Sequence, residues 1–150
     1  MGCIVCATRG GAGSRVVQER AIELARAGKS KLIFLYVIDM SNVTDADEML
    51  MAALRTELNW LGRTLLNVAH QRAENQQIDS EIVIREGEVR EEICLFLQER
   101  SAELLLIGAP RGTSALTFGD DVIELFAQEI IDESGVKVEI VRPTEPAEKI

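Results

Sequence analysis

The stretch Cys3-Ile4-Val5-Cys6-Ala7-Thr8-Arg9-Gly10-Gly11-Ala12-Gly13-Ser14 decides the fold. It opens with a short, unbroken apolar run that reads as a strand. Three closely spaced glycines follow, and then Val17, Ala21 and Leu24 repeat at helical spacing until Gly28 stops the pattern. A strand that passes through a glycine loop into a helix is the first half of a β-α-β unit.

The same alternation continues along the chain. Further strands are predicted over Leu32–Ile38, Ile78–Ile84, Leu104–Ile107 and Val136–Val141. Between them, Leu54, Leu58, Leu61, Leu65 and Val68 mark a long helix from about 45 to 73, with Asp45 or Thr44 as its cap. Val89, Ile93, Phe96 and Leu97 mark the next helix. Ile123, Phe126, Ala127 and Ile130 mark the last, ending near Gly135. Strict alternation predicts an α/β fold, a parallel sheet with helices on both faces. Asp79, Glu81 and Arg85 give the third strand one wet face, so it is expected at an edge. The closing strand, with Lys137 and Glu139, is the natural opposite edge. Its Val136, Val138 and Ile140 are the candidates for pairing with a second copy.

Composition narrows the partners. The chain has 150 residues and a formal net charge of −9. This size suits one domain, expected over 1–143, with a loose charged tail over 144–150. The acidity argues against nucleic acid and anionic membranes. No apolar run is long enough to span a bilayer and no signal peptide is evident, so the cytoplasm is the default location. Met1-Gly2-Cys3 lacks the later Ser or Thr of a myristoylation signal, having Cys6 there. Cys3 and Cys6 are three apart on a strand and therefore point to opposite faces, which argues against a redox or metal pair. Cys94 reads as a core residue. Glu88, Glu91 and Glu92, like Asp45, Asp47 and Glu48, complement helix N-termini. His70 is expected at the surface without a Cys or Ser partner, and Trp60 as a packing residue or an interface anchor.

Ligands of open parallel sheets bind beyond the C-terminal strand ends, where the winding reverses. Two loops have suitable composition. The first, Thr8 to Ser14, brings backbone close to a ligand, feeds a helix N-terminus and adds the Arg9 cation. The plain alternative is a turn capped by Ser14. The second, Gly108-Ala109-Pro110-Arg111-Gly112-Thr113-Ser114-Ala115-Leu116-Thr117-Phe118-Gly119, carries three glycines, one Arg and three hydroxyls, and its length is a functional hint. Neither loop is a Walker motif. Gly11-Ala12-Gly13 matches a dinucleotide fingerprint only in part, since Val16 stands at the third glycine. Asp39, after the second strand, keeps a nicotinamide reading open.

Val5-Cys6-Ala7-Thr8, Leu35-Tyr36-Val37-Ile38-Asp39, Ile82-Val83-Ile84-Arg85-Glu86-Gly87, Ala102-Glu103-Leu104-Leu105-Leu106-Ile107-Gly108 and Val138-Glu139-Ile140-Val141-Arg142-Pro143, in that order, resemble the universal stress protein family. The resemblance implies a five-stranded parallel sheet of order 3-2-1-4-5, Rossmann-like, commonly a homodimer through the last strand. Some members bind ATP between the first and fourth strands and others do not. By this resemblance Ala7 and Thr8 line the adenosine, Val37 meets the adenine through its backbone, and Ile107 and Gly108 flank ribose and phosphates.

Two departures mark the site. The family usually has Asp where this chain has Arg9. ATP-binding members carry G-x2-G-x9-G-[S/T], whereas here Gly108 is followed by Arg111-Gly112 and then, at shorter spacing, Gly119-Asp120. A carboxylate beside phosphate costs roughly 1 kcal/mol in water and about 4 at an effective dielectric near 20, and Arg9 and Arg111 act in the opposite sense. Three readings follow: a non-catalytic stress-response protein with a modified site for ATP or another adenine nucleotide (Gly10 and Gly11 included), a dimeric interaction module without nucleotide, or a catalyst. No Ser-His-Asp set, metal cluster or positioned base supports the third.

Overall fold

Alternating strand and helix signals resolve into nine elements among the residues that the computed structural model describes, which are 2–8, 14–40, 47–108 and 118–142. The strands are β1 (Cys3–Ala7), β2 (Lys31–Ile38), β3 (Ser80–Glu86), β4 (Leu104–Gly108) and β5 (Lys137–Val141). The helices are α1 (Ser14–Gly28), α2 (Glu48–Asn75), α3 (Val89–Glu99) and α4 (Phe118–Ser134). All strand pairs are parallel, in the order β3-β2-β1-β4-β5. The predicted sheet and both predicted edges are therefore present.

Period-two alternation sends successive strand residues to opposite helix layers. Cys3, Val5, Ile33, Leu35, Leu105 and Ile107 pack with α3 and α4. Ile4, Cys6, Leu32, Phe34 and Leu106 pack with α1 and α2. Cys3 and Cys6 thus lie in different layers, and all three cysteines are free and buried. Burial pushes the Cys6 thiol up to about 12, so it stays protonated at neutral pH. Val89, Ile93, Phe96, Leu97, Ile123, Phe126, Ala127 and Ile130 all join the core, as their spacing predicts.

The long helix departs from expectation. Its buried residues are Gly62, Leu66, Ala69 and Ala73, not the larger repeat Leu54, Leu58, Leu61, Leu65 and Val68. The sheet selects for close approach rather than apolar bulk. A Cβ on Gly62 would lie 2.4 Å from the Tyr36 ring, so only a glycine lets the helix settle there. Leu61 and Val68 remain exposed. Trp60 is exposed as well and is no core residue. The cap is Asp47, whose carboxylate accepts from the Leu50 N–H at 2.8 Å; Thr44 and Asp45 lie outside the described residues.

Helix ends explain the other shifts. α1, α2 and α3 each close with a left-handed residue that is not glycine: Lys29, Gln77 and Ser101. In each case the next N–H reaches back to the helix, Ser30 to Ala25 O, Ile78 to Ala73 O and Ala102 to Leu97 O, which is the Schellman pattern. Gly28 therefore ends α1 one residue before the left-handed turn. Ile78 is consumed by the α2 cap, so β3 starts at Ser80, later than predicted. Gly135 closes α4 with a φ of 75°, as expected.

The predicted wet face of β3 is roofed by α3. Glu81 accepts from Arg100, and Arg85 pairs with Glu92 and Glu99. The two guanidinium groups cover the buried Phe96 ring, at 5.1 Å for Arg100 and 5.6 Å for Arg85. His70 also differs from its prediction: it is half-buried, and its Nδ1 shares a 2.7 Å hydrogen bond with Ser80 Oγ.

Candidate functional site

The winding reverses between β1 and β4. α1 and α2 cover one face of the sheet, α3 and α4 the other. At this point the two central strands part. Their pairing ends at Cys6 and Leu106. Each keeps its outer partner further: β1 pairs β2 as far as Ala7 and Leu35, and β4 pairs β5 as far as Gly108 and Val141. The result is a cleft whose walls are the last residues of β1 and β4, where open α/β sheets take ligands.

Thr8 forms one wall. Its N–H donates to Leu35 O at 2.7 Å, which holds it against β2. The residue is 5% exposed, yet its Oγ1 has no hydrogen-bond partner among the described residues. The hydroxyl draws the neighbouring Cys6 thiol slightly downward, against the larger effect of burial, without a bond of ordinary geometry between them. A buried hydroxyl left unpaired costs about 1–3 kcal/mol, and such groups call for a reason.

Gly108 forms the facing wall. A Cβ there would lie 2.7 Å from Val17 Cγ2, so α1 packs directly on the bare backbone. Ile107 is buried in the α3/α4 layer, and Ala7 and Val37 pack at its border. The side chains of these three are taken up by that layer. Val17 at Gly108 and the buried Gln18, whose Oε1 accepts from Arg72 of α2, were not anticipated. The sole sequence signal for Gln18 is an amide beside the apolar repeat of α1.

Of the remaining predicted residues, Arg9, Gly10, Gly11, Arg111 and Gly112 lie outside the described residues. Gly119 and Asp120 belong to the first turn of α4 rather than to a loop, since that helix begins at Phe118. A helix first turn favours a carboxylate on electrostatic grounds alone. Val138 and Ile140 face the α3/α4 core, and Val136 precedes β5, so pairing at that edge would run through backbone. Among the described residues no group of three or more His, Cys, Asp or Glu is arranged to hold a metal ion. No described helix is long and apolar enough to cross a membrane.

A family model described as "Universal stress protein family" matches residues 1–142. No curated protein matches the chain. Among solved structures it is similar to universal stress protein UspA from Lactobacillus plantarum, at 15% identity over 94% of this chain and 97% of that one, with a TM-score of 0.75. It is also similar to a universal stress protein in complex with cAMP, at 22% identity over 94% and 96%, with a TM-score of 0.65. A third is a family protein from Arabidopsis thaliana with AMP bound, at 15% identity over 98% and 99%, with a TM-score of 0.66. At these identities the likeness concerns the fold.

Proposed function

The chain belongs to the universal stress protein family, and from that premise we propose that it is a non-catalytic stress-response protein whose β1–β4 cleft takes an adenine nucleotide. The observation that carries this reading is the Thr8 hydroxyl, buried and without a partner among the described residues, where the central strands part. A ligand hydroxyl or ring nitrogen would complete it. Gly108 supports the reading because it ends β4 at the facing wall, beyond the last pairing with β1. Related structures hold cAMP and AMP, so nucleotides with few phosphates belong in the test beside ATP. Arg9 and Arg111 provide the cations that an acidic chain otherwise lacks at a phosphate, and they offset the charge of Asp120.

The test is titration with ATP, ADP, AMP and cAMP, with and without magnesium, followed by calorimetry and thermal shift. Binding is expected for at least one of them. Absence of any shift at millimolar ligand would leave the second reading, a dimeric interaction module that has lost the nucleotide. That reading draws on Arg9 and Asp120 in place of the family's residues. Thr8→Val separates site from scaffold. It should weaken nucleotide binding about tenfold while raising stability by about 1 kcal/mol, because an unsatisfied buried hydroxyl disappears. A loss of stability instead would mean that the hydroxyl serves the fold.

The free edge of β5 supports pairing with a second copy through backbone hydrogen bonds. Three buried free thiols suit a reducing compartment, the cytoplasm.

A further inference from the structure

The outer arc of α2 is unlike the rest of the surface. On a 3.6-residue period, Met49, Leu50, Ala53, Trp60, Leu61 and Val68 fall within about 120° of one another, on the side turned away from the buried stripe Gly62–Leu66–Ala69–Ala73. Their exposure is high: 83% for Met49, 58% for Leu50, 65% for Trp60, 41% for Leu61 and 44% for Val68. The other positions on that arc between 49 and 71 are Glu57, Thr64, Asn67 and Gln71. Glu57 is thus the single charge among ten solvent-facing positions. The chain is 27% charged overall, so about three would be expected even without the surface's usual enrichment. Scattered exposed leucines need no explanation, but a contiguous apolar arc with a tryptophan at its centre and few charges has the composition of an interface.

We infer that this arc is a contact surface for a second copy of the chain, formed by two α2 helices packed antiparallel about a two-fold axis. Self-complementarity carries the choice of occupant. Centred between Trp60 and Leu61, the two-fold sets Trp60 against Leu61 of the second copy, Ala53 against Val68, Leu50 against Gln71, and Glu57 against the neutral Thr64. The two Glu57 carboxylates then stand about 10 Å apart along the axis, at a helical rise of about 1.5 Å per residue, where screening removes most of their repulsion. A parallel pair would stack Glu57 directly on its mate. The exposed apolar side chains amount to on the order of 500 Å2 per copy. With Ala53, Thr64, Asn67 and Gln71 added, the face approaches the ~800 Å2 per partner of a stable interface. An anionic membrane is the poorer occupant, because the arc carries no Lys or Arg and the chain has a net charge of −9. The surface is separate from the β5 edge, so substitutions on α2 leave that edge intact.

Trp60 is the sole tryptophan, and its emission reports this contact directly. Over a dilution series the emission should shift to shorter wavelength as concentration rises, in step with dimer mass in sedimentation equilibrium. Leu61→Glu should raise the dissociation constant at least tenfold and abolish the shift, and Ala53→Glu, at an exposed position, should do the same. Leu125→Glu, at an exposed site on α4, should change neither. Trp60 emission that stays solvent-like up to millimolar protein overturns the inference. So does a concentration-dependent emission shift that survives both α2 variants.

Discussion

The two ends of the sheet are built on opposite plans. At the C-terminal ends of the strands, β1 and β4 separate, a hydroxyl is buried without a partner among the described residues, and α1 rests on a bare glycine. At the N-terminal ends the backbone is cross-tied. Lys31 donates to Gly2 O and Glu103 to Cys3 O, both at 2.9 Å, which ties the strand entrances together. α1, α2 and α3 finish there in one repeated capping motif, and Arg26 donates to Gln76 O at the end of α2. The contrast follows from helix polarity. Helix N-termini, with free N–H groups, face the open end and favour anions. C-termini, with free carbonyls, face the closed end and attract Arg and Lys. The hollow of about 500 Å3 between Arg26, Lys29, Lys31, Gln77 and Asp79 is accordingly a poor anion site despite its cations, since Arg26 already donates to Gln76 O and Lys31 pairs with Glu81. One end of the sheet opens between its central strands and the other ties the scaffold together.

Substitutions at each end should therefore differ in kind. The largest effect is expected at the open end. Gly108→Val drives a side chain into Val17 and forces α1 off the sheet. It should lower stability by about 2–3 kcal/mol and remove any nucleotide binding, as read by denaturant unfolding and calorimetry. Unchanged stability would mean that α1 yields freely and that the cleft is not pre-formed.

At the closed end, the hydrogen bonds from Arg100, joined by Lys31, hold the Glu81 carboxyl at about 2, well below the ordinary 4.5. A depressed folded-state value contributes stability above pH 4.5 that is lost as pH falls from there toward 2. Partial exposure limits its size. Glu81→Gln should cost about 1 kcal/mol at neutral pH and flatten the acid limb of the stability curve, without changing ligand affinity. A steep acid limb that persists in the variant would assign it to other carboxylates.

The smallest effects are expected at the caps. Lys29, Gln77 and Ser101 have φ of 53°, 64° and 52°, a region that favours glycine. Each change to glycine should stabilise by about 0.5–1 kcal/mol and leave ligand binding untouched. If these substitutions alter binding, the two ends are coupled and the division between them fails.

Much of this was legible along the chain. Strand and helix identities rest on local periodicity, and the core residues of α3 and α4 followed directly from spacing. The α2 face did not. Periodicity weights residues by apolar bulk and so selects Leu54 to Val68. The close approach to the sheet takes Gly62, against Tyr36, and buries Leu66, Ala69 and Ala73 along the same stripe. The left-handed caps were equally hidden, because Lys, Gln and Ser carry no turn signal, and their conformation is imposed by the backbone bonds that close each helix. At the site, Thr8 and Gly108 were visible as residues of the right kind at the right strand ends. Their roles were not, since an orphaned hydroxyl and a missing Cβ acquire meaning only from what surrounds them.

The sequence by itself determined the alternation of elements, the parallel sheet and the family, since these depend on patterns repeated over many residues. Tertiary structure alone decided which stripe of α2 is buried and which is left exposed, that the central strands part after Cys6 and Leu106, and that the Thr8 hydroxyl is buried without a partner among the described residues. Those features depend on distances between segments far apart in the chain, and local periodicity contains no information about them.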